Sequence, residues 1–133
     1  MFMYKRKNRA KYSLKAHLVF VCKYRKKLLR GDFDKDIRQW IYSICSRMDT
    51  ELHETESDRD HIHLLISYNV TDRICDIVKR IKQETVYKAW AKYPSYLKKY
   101  FRKEKTLWSD GYFAGSIGEV SEETIRQYIK NQG

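Results

Sequence analysis

The sequence predicts an α+β fold: a ferredoxin-like or RRM-like antiparallel sheet with helices packed on one face, followed by a C-terminal helix. One observation is a set of short runs in which apolar residues alternate with other side chains, the period of a β-strand. Another is a set of longer stretches with an apolar stripe at helical spacing. Their order, β-α-β-β-α-β-α, occupies a chain of 133 residues, which we expect to form a single domain, 1–133.

Composition favours a polyanionic partner. Lys and Arg number 28 against 17 Asp and Glu, a net charge of +11 on one small domain. Nucleic acid is the first candidate, and a basic surface that only aids solubility is the alternative. The aromatic share of 14% is high enough for some rings to stack on bases, although most should be core.

The cysteines and the apolar runs indicate the compartment. The three cysteines are widely spaced and odd in number, so they predict neither a disulfide framework nor a zinc site. No apolar run approaches the roughly 18 residues of a membrane span, and the N-terminus lacks a signal-peptide core. We therefore expect a soluble protein of the cytoplasm with no membrane partner.

The first half of the chain begins with a basic arm at residues 1–11. A strand follows over 13–23, with Leu14 to Cys22 alternating between an apolar face and a mixed one. Gly31 breaks the chain, and either Asp32 or Asp34 is expected to cap a helix that runs to about Thr50. A strand over 52–57, a short turn and a second strand then predict an antiparallel hairpin.

The second half begins with a helix that Thr71 or Asp72 opens and that Pro94 ends. Residues 96–105 are basic and rich in tyrosine, and they suit a short helix. This segment is equally a candidate surface for nucleic-acid contact and a candidate exposed loop. A last strand is expected over 107–118, where three of the five glycines suggest a hinge. Ser121 then caps the terminal helix, 120–133, with Val120 and Ile125 placed as a hydrophobic staple.

The second strand of the hairpin carries His61 and His63. Alternation along a strand places both imidazoles on one face and Ile62, Leu64 and Ile66 on the other. Two neighbouring imidazoles form half of a divalent-metal site, which could polarise a phosphate oxygen. The alternative is a pair of polar residues on a solvated face. A tyrosine on a nearby helix could attack the activated phosphorus and form a covalent phosphotyrosine.

Several motifs resemble those of the HUH single-tyrosine transposases (TnpA type) of the smallest insertion sequences. They are His61-Ile62-His63, the segment 21–25, the segment 107–121, and Tyr128 followed four residues later by Gln132. Together they span most of the chain in the family's order. Tyr128 alone would more often be a packing residue, and Gln132 alone an ordinary surface residue.

The resemblance implies an enzyme that cuts and rejoins single-stranded DNA at insertion-sequence ends through a 5′-phosphotyrosine. It implies that Tyr128 is the nucleophile and that His61 and His63 bind Mg²⁺ or Mn²⁺. Gln132 matches the position of a third metal ligand, and Asp58 matches an acidic position near the metal. The family's members act as homodimers on DNA hairpins in prokaryotic cells, and a terminal helix can complete the partner's site.

Basic side chains are expected to hold the DNA phosphates. We select candidates from the N-terminal arm, the end of the first strand and the second helix: Lys5, Arg6, Lys23, Arg25, Arg80 and Lys82.

Three other functions remain open at this stage. A non-catalytic module that binds single-stranded nucleic acid would need neither Tyr128 nor the paired histidines. A related HUH nickase for replication or plasmid transfer would usually carry helicase or primase domains, for which this chain has no room. A metal-dependent nuclease that uses water would be expected to show more carboxylates than Asp58 and Asp60 near the histidines.

Overall fold

A computed structural model describes residues 14–116 and 122–132 of the chain. Its strands are β1 (Leu14–Val21), β2 (Glu51–Ser57), β3 (His61–Tyr68) and β4 (Phe113–Ser116). Its helices are α1 (Gly31–Arg47), α2 (Ile74–Lys92), α3 (Pro94–Lys98) and α4 (Glu122–Lys130), and a 3₁₀ turn at Lys23–Arg25 follows β1. The predicted arm at 1–11, with Lys5 and Arg6, and the predicted cap at Val120 and Ser121 lie outside the described residues.

The four strands form one antiparallel sheet in the order β2-β3-β1-β4. β1 pairs with β3 along its whole length, from Leu14 opposite Tyr68 to Val21 opposite His61. The hairpin of β2 and β3 is confirmed, with a register shift between Leu52 and Glu54. The predicted α+β class with an antiparallel sheet is confirmed by this topology.

The principal core lies between one face of the sheet and helices α1 and α2. From β3 it receives Ile62, Leu64 and Ile66, each fully buried, as the alternation of the strand predicted. The helices contribute the predicted stripes, listed here by their buried members: Ile37, Ile41 and Ile44 from α1, and Ile77, Val78 and Ile81 from α2. Each such side chain contributes about 1.5–3 kcal/mol on burial, so this layer holds the sheet in place.

The terminal helix α4 packs on the opposite face of the sheet. Val19 and Val21 of β1 form a second buried cluster with Ile125 of α4. The prediction of helices on one face therefore holds for α1 and α2, and α4 covers part of the other face. This face is the one to which His61 and His63 belong, because they pair with Val21 and Val19.

The predicted caps of α1 and α2 are both wrong, since Arg30 and Arg73 occupy those positions. Asp32 and Asp34 lie inside the first turn of α1, where acidic groups suit the positive end of the helix dipole. Asp34 accepts a hydrogen bond from Ser57 Oγ at 2.5 Å, so its carboxylate joins α1 to β2. α2 begins at Ile74, after a turn in which the Asp72 N–H donates to the Asn69 carbonyl at 3.0 Å.

The last strand is shorter than the predicted 107–118. Residues 107–112 form a loop that meets the end of β1 through an isolated bridge between Trp108 and Cys22 and through the bond from the Ser109 N–H to the Val21 carbonyl. Lys82 Nζ donates to the carbonyls of Ser109 and Gly111, so a side chain takes acceptors that a strand would use. Gly111 also turns the chain at φ +79°. Residues 117 and 118, where that strand was expected to end, are not described.

Pro94 ends α2 as predicted and also begins the next helix. It occupies the first turn of α3, where its missing N–H costs no intrahelical bond. The short helix expected somewhere in 96–105 is therefore Pro94–Lys98, and the rest of that segment is irregular. Within the described ranges, no helix is long and apolar enough to cross a membrane.

Candidate functional site

The candidate site is the face of the sheet that carries the histidines. The rings of His61 and His63 lie side by side, with their centroids 5.0 Å apart. His17 on β1 adds a third imidazole, its ring centroid 5.9 Å from that of His63. The predicted placement of both histidines on the face opposite the core is thereby confirmed.

Asp60 fixes the orientation of His61. Its Oδ1 lies 2.8 Å from His61 Nδ1, and its Oδ2 accepts a hydrogen bond from Arg25 Nε at 3.4 Å. A carboxylate can only accept, so Nδ1 of the neutral ring carries the proton and Nε2 keeps its lone pair. An imidazole held in this way by a carboxylate is the usual arrangement of a metal-binding histidine.

The turn that carries Asp60 is itself fixed to the end of β1. The Cys22 N–H donates to the Asp60 carbonyl, and the Leu29 N–H to the Arg59 carbonyl, both at 2.8 Å. Arg59 adopts a φ of +54°, a left-handed conformation that is uncommon for a residue with a side chain. This tight connection places the Asp60 carboxylate beside the first histidine of β3.

The surroundings of His63 disfavour the charged form of its ring. Burial lowers the pKa of His63, and the neighbouring rings of His61 and His17 lower this pKa further when they are charged. A neutral imidazole is the form that binds a metal ion. The lowered pKa of His63 therefore favours the form of this side chain that can act as a nitrogen ligand.

A basic pocket of about 810 Å³ opens beside the histidines. Its wall comprises the turn between β2 and β3, the loop after β1, and one side of α4. Five cationic side chains line it, Arg25, Lys27, Arg59, Arg126 and Lys130, against three acidic ones, Glu56, Asp58 and Asp60. The excess of positive charge suits a phosphate group.

Tyr128 lies over the same face but outside this pocket. It packs in the apolar cluster of Val19, Val21 and Ile125, with its ring centroid 5.8 Å from that of Phe113. Its hydroxyl is buried without a hydrogen-bond partner in the described part of the chain. Burial raises the pKa of this phenol, which disfavours the phenolate. The apolar side chains of α4 that line the pocket are Ile125 and Ile129, and Tyr128 is not among its lining residues.

Gln132 likewise does not line this pocket, and its side chain is bonded to Ser109. Ser109 Oγ donates to its Oε1 at 3.2 Å, and Ser109 itself is bonded to β1 through its N–H and the Val21 carbonyl at 2.8 Å. The structure thus brings His61, His63 and Asp58 to one pocket and places Tyr128 and Gln132 beside it. Among residues 14–116 and 122–132, no group of three or more His, Cys, Asp or Glu is arranged to hold a metal ion. This arrangement therefore fits a divalent ion only in part, with two nitrogen ligands.

The described residues predicted to bind phosphates all have partners within the chain. Lys23 Nζ lies 3.9 Å from Asp110 Oδ1, and Arg80 Nε 2.7 Å from Glu84 Oε2. Lys82 is half-buried between the carbonyls of Ser109 and Gly111, and burial lowers the pKa of its ammonium. Only Arg25, of these four, lines the histidine pocket. The roles of all of them in DNA binding stay predictions.

Sequence reasoning overlooked several residues of this site. Asp60 was available from the sequence, because it directly precedes His61 and can contact it across a tight turn. Arg126 and Lys130 are four residues apart on the terminal helix, a spacing from which the sequence could have placed them on one face. His17 could not be found in this way, since its approach to His63 depends on the pairing of β1 with β3.

Comparison with known proteins places the chain among transposases. The model of the family described as "Transposase IS200 like" matches residues 10–132. The ISDra2 transposase TnpA of Deinococcus radiodurans is 28% identical over 121 residues, 91% of this chain and 85% of the relative. The transposase of insertion sequence IS200 from Salmonella typhimurium is 24% identical over 122 residues, 92% of this chain and 78% of the relative.

Solved structures show the same fold. A putative transposase from Deinococcus radiodurans superimposes with a TM-score of 0.82 at 28% identity, covering 90% of each chain. A REP-associated tyrosine transposase, solved bound to a REP hairpin, gives a TM-score of 0.60 at 12% identity. That match covers 89% of this chain and 63% of the other, and at this identity it supports the fold alone.

Proposed function

The chain belongs to the IS200-like transposase family, and from this premise we propose that it cuts and rejoins single-stranded DNA at insertion-sequence ends through a phosphotyrosine on Tyr128. One observation carries the proposal: the paired histidines, a basic pocket and the tyrosine-bearing helix share one face of the sheet. The opposite face is filled with apolar core and offers no such chemistry.

The chemical step is a transfer of the phosphodiester bond. Tyr128 Oη attacks the phosphorus, the bond from phosphorus to the 3′ oxygen breaks, and the phenol proton ends on that oxygen. The products are a 5′-phosphotyrosine and a free 3′-hydroxyl, and a later attack by a 3′-hydroxyl reverses the step. Because the covalent phosphotyrosine bond conserves the energy of the phosphodiester, rejoining the DNA strand needs no nucleoside triphosphate. The cations around the pocket would hold the phosphate for this attack.

Mg²⁺ or Mn²⁺ is the proposed cofactor. His61 and His63 would hold it, with Gln132 as a third ligand and Asp58 beside them. The ion would supply Lewis-acid polarisation of the phosphate and lower the barrier by several kcal/mol. Asp60 and Arg25 would keep His61 oriented toward it through the bonds from His61 Nδ1 to Asp60 and from Arg25 to Asp60.

The proposed reaction requires a different position of α4. A buried phenol with a raised pKa is a poor nucleophile, and Gln132 is bonded to Ser109 rather than to the histidines. The cluster under α4 has only three buried side chains in the described part of the chain. Its release would cost far less than disruption of the principal core, which contributes about 1.5–3 kcal/mol for each large side chain. We propose that α4 is repositioned at the histidines of its own chain or of a partner in a homodimer.

A covalent-trapping assay tests this function. The protein is incubated with single-stranded DNA from the flanks of its own gene, with Mg²⁺ or Mn²⁺, and run on a denaturing gel. We expect a metal-dependent adduct that is lost in Tyr128→Phe and in His61→Ala. Tyr42→Phe is the control, because Tyr42 is an exposed tyrosine on α1, remote from the proposed site.

The second candidate is a non-catalytic module that binds single-stranded nucleic acid. The buried hydroxyl of Tyr128 and the bond from Ser109 to Gln132 favour it, because both groups are used in packing here. Tight binding in native gels, with no adduct and no cleavage in either metal, would establish the module and refute the enzyme.

A further inference from the structure

A second groove lies away from the histidine pocket. It has a volume of about 680 Å³ and runs between the C-terminal half of α2 and the segment 105–111. Of the described residues, none lines both this groove and the histidine pocket. α2 packs on the core face of the sheet, so the groove cannot hold the nucleotide that reacts at the histidines.

Two aromatic side chains of α2 line the groove, and they are three residues apart. Tyr87 is 78% exposed, and within the described ranges its side chain makes no hydrogen bond and no ring contact. Trp90 is half-buried, and its indole N–H donates to the Thr106 carbonyl at 2.9 Å. That bond fixes the orientation of the Trp90 indole. The exposed ring of Tyr87 is available to contact a ligand.

The far wall of the groove is held rigid by Lys82. Its Nζ donates to the Ser109 carbonyl at 2.9 Å and to that of Gly111. The same ammonium lies 5.7 Å from the centroid of the buried Phe20 ring, so this lysine is a structural clamp. The loop therefore presents a preformed surface opposite the aromatic pair.

The charge around the groove favours an anionic occupant. Lys105 lines the groove, is exposed, and has no ion-pair partner in the part of the chain that the structure describes. It ends the segment 98–105, which has five basic residues and one acidic residue. Asp110 is the only acidic side chain among the described residues that line the groove. An acidic peptide could use the cation, but it would leave the exposed aromatic ring without a flat partner.

We propose that this groove binds an unpaired nucleotide of single-stranded DNA, with the base stacked on Tyr87 beside Trp90 and the phosphate on Lys105. This inference rests on the proposed function, because the DNA bound in the groove is the same strand that the enzyme cuts and rejoins. The stacked nucleotide lies outside the cleavage site and anchors a flanking part of the strand. Aromatic stacking accepts any base, so the groove adds affinity without sequence preference.

The test compares variants of the full chain by fluorescence anisotropy. The probe is a labelled oligothymidine of about 15 nucleotides, and a second probe is an abasic strand of the same length. We expect Tyr87→Ala to weaken binding of oligothymidine about tenfold, the effect of losing one stacked base, and to leave binding of the abasic strand unchanged. Tyr87→Phe should bind like the wild type, because the ring rather than the hydroxyl makes the stack.

Tyr42→Ala is the matched control, because Tyr42 is 56% exposed on α1 and lies outside the groove. Equal affinities of Tyr87→Ala and Tyr42→Ala for oligothymidine would overturn the proposal, as would an equal loss on the abasic strand. A change of oligomeric state in Tyr87→Ala with unchanged DNA affinity would also overturn it and assign the groove to a second copy of the chain.

Photocrosslinking provides a second readout. An oligothymidine that carries 5-iododeoxyuridine should crosslink to Tyr87 or Trp90, and crosslinks found only elsewhere would contradict the proposal. The covalent-trapping assay separates the two hypotheses. An adduct on Tyr128 without any effect of Tyr87→Ala refutes the groove alone, and Tyr87-dependent binding without an adduct refutes the enzyme alone.

Discussion

The two faces of the sheet are built from neighbouring residues of the same strands, yet they differ in what covers them. On one face, Leu64 and its alternate neighbours are fully buried under α1 and α2. On the other, His61, His63 and Leu65 are only partly buried, and the short helix α4 covers part of the surface. In β3 a shift of one residue separates the buried core side chains from those of the candidate site.

This difference shows how a small domain can keep a stable framework beside a changeable site. The core face contributes most of the apolar burial, so it fixes the strands and with them the histidine pair. The open face adds only a small cluster beneath α4, so the helix that carries Tyr128 can be displaced at modest cost. We infer that stability and chemistry depend on different faces, and each of the following predictions tests that separation.

The largest effect is expected from one leucine on the core face. Leu64→Ala removes a fully buried side chain, which should lower the free energy of unfolding by about 2–5 kcal/mol. Leu65→Ala is the matched control, because it makes the same truncation on the open face, where the side chain is partly exposed. Its cost should be about 1 kcal/mol. Chemical denaturation measures both, and equal losses would show that the faces do not differ in packing.

The next effect concerns the histidine on the open face. His61→Ala should lower the rate of adduct formation at least about 100-fold, because a metal ligand is lost. It should change the free energy of unfolding by about 1 kcal/mol or less, since Asp60 keeps its bond to Arg25. Denaturation and single-turnover trapping on one preparation separate the two quantities. A large loss of stability with normal activity would assign His61 to the framework.

Asp60 provides a smaller, indirect effect. Asp60→Asn weakens the acceptor that holds His61 Nδ1, so Mn²⁺ affinity should fall about tenfold, as for other partners of metal-binding histidines. Titration calorimetry measures this without any DNA. Glu56→Gln is the charge-matched control, because Glu56 lines the same pocket and pairs in register with His63. If both variants lose affinity equally, charge rather than orientation is responsible.

The mildest perturbation uses the cysteines, which are distributed unequally between core and surface. Cys22 and Cys45 are buried, and burial raises the pKa of both thiols, that of Cys45 to about 12. Cys75 is exposed. A thiol reagent should modify Cys75 in the native protein, and Cys22 and Cys45 only after unfolding. Cys75→Ser should abolish the native reaction, and modification of Cys22 or Cys45 at the same rate would indicate a loose core.

The sequence was sufficient to predict the class of fold and the placement of both histidines on the face opposite the core, because both depend on short-range periodicity. Alternation in 61–68 and helical spacing in 37–44 state directly which side chains are buried. The loop at 107–112 was mistaken for a strand, because Lys82, twenty-five or more residues earlier, takes the carbonyls of Ser109 and Gly111. Contacts between distant segments leave no local pattern.

The same limit applies to the candidate site. Tyr128 and Gln132 were linked to the histidines by family resemblance, whereas in this structure they contact Phe113 and Ser109. The position of α4 depends on packing between a helix and a sheet face, and its own amphipathic pattern does not specify which of its neighbours it meets. Asp60 was within reach of the sequence, but its bond to His61 depends on the left-handed turn at Arg59.

The most direct test of the proposed function is to identify the residue that carries the DNA. The adduct would be isolated from the denaturing gel, digested with nuclease and protease, and analysed by mass spectrometry. With eleven tyrosines in the chain, the modified peptide discriminates well. We expect a nucleotide phosphate on Tyr128 alone. A phosphate on a tyrosine of the core-side layer, such as Tyr93 or Tyr96, or on no tyrosine at all, would contradict the assignment of chemistry to the open face.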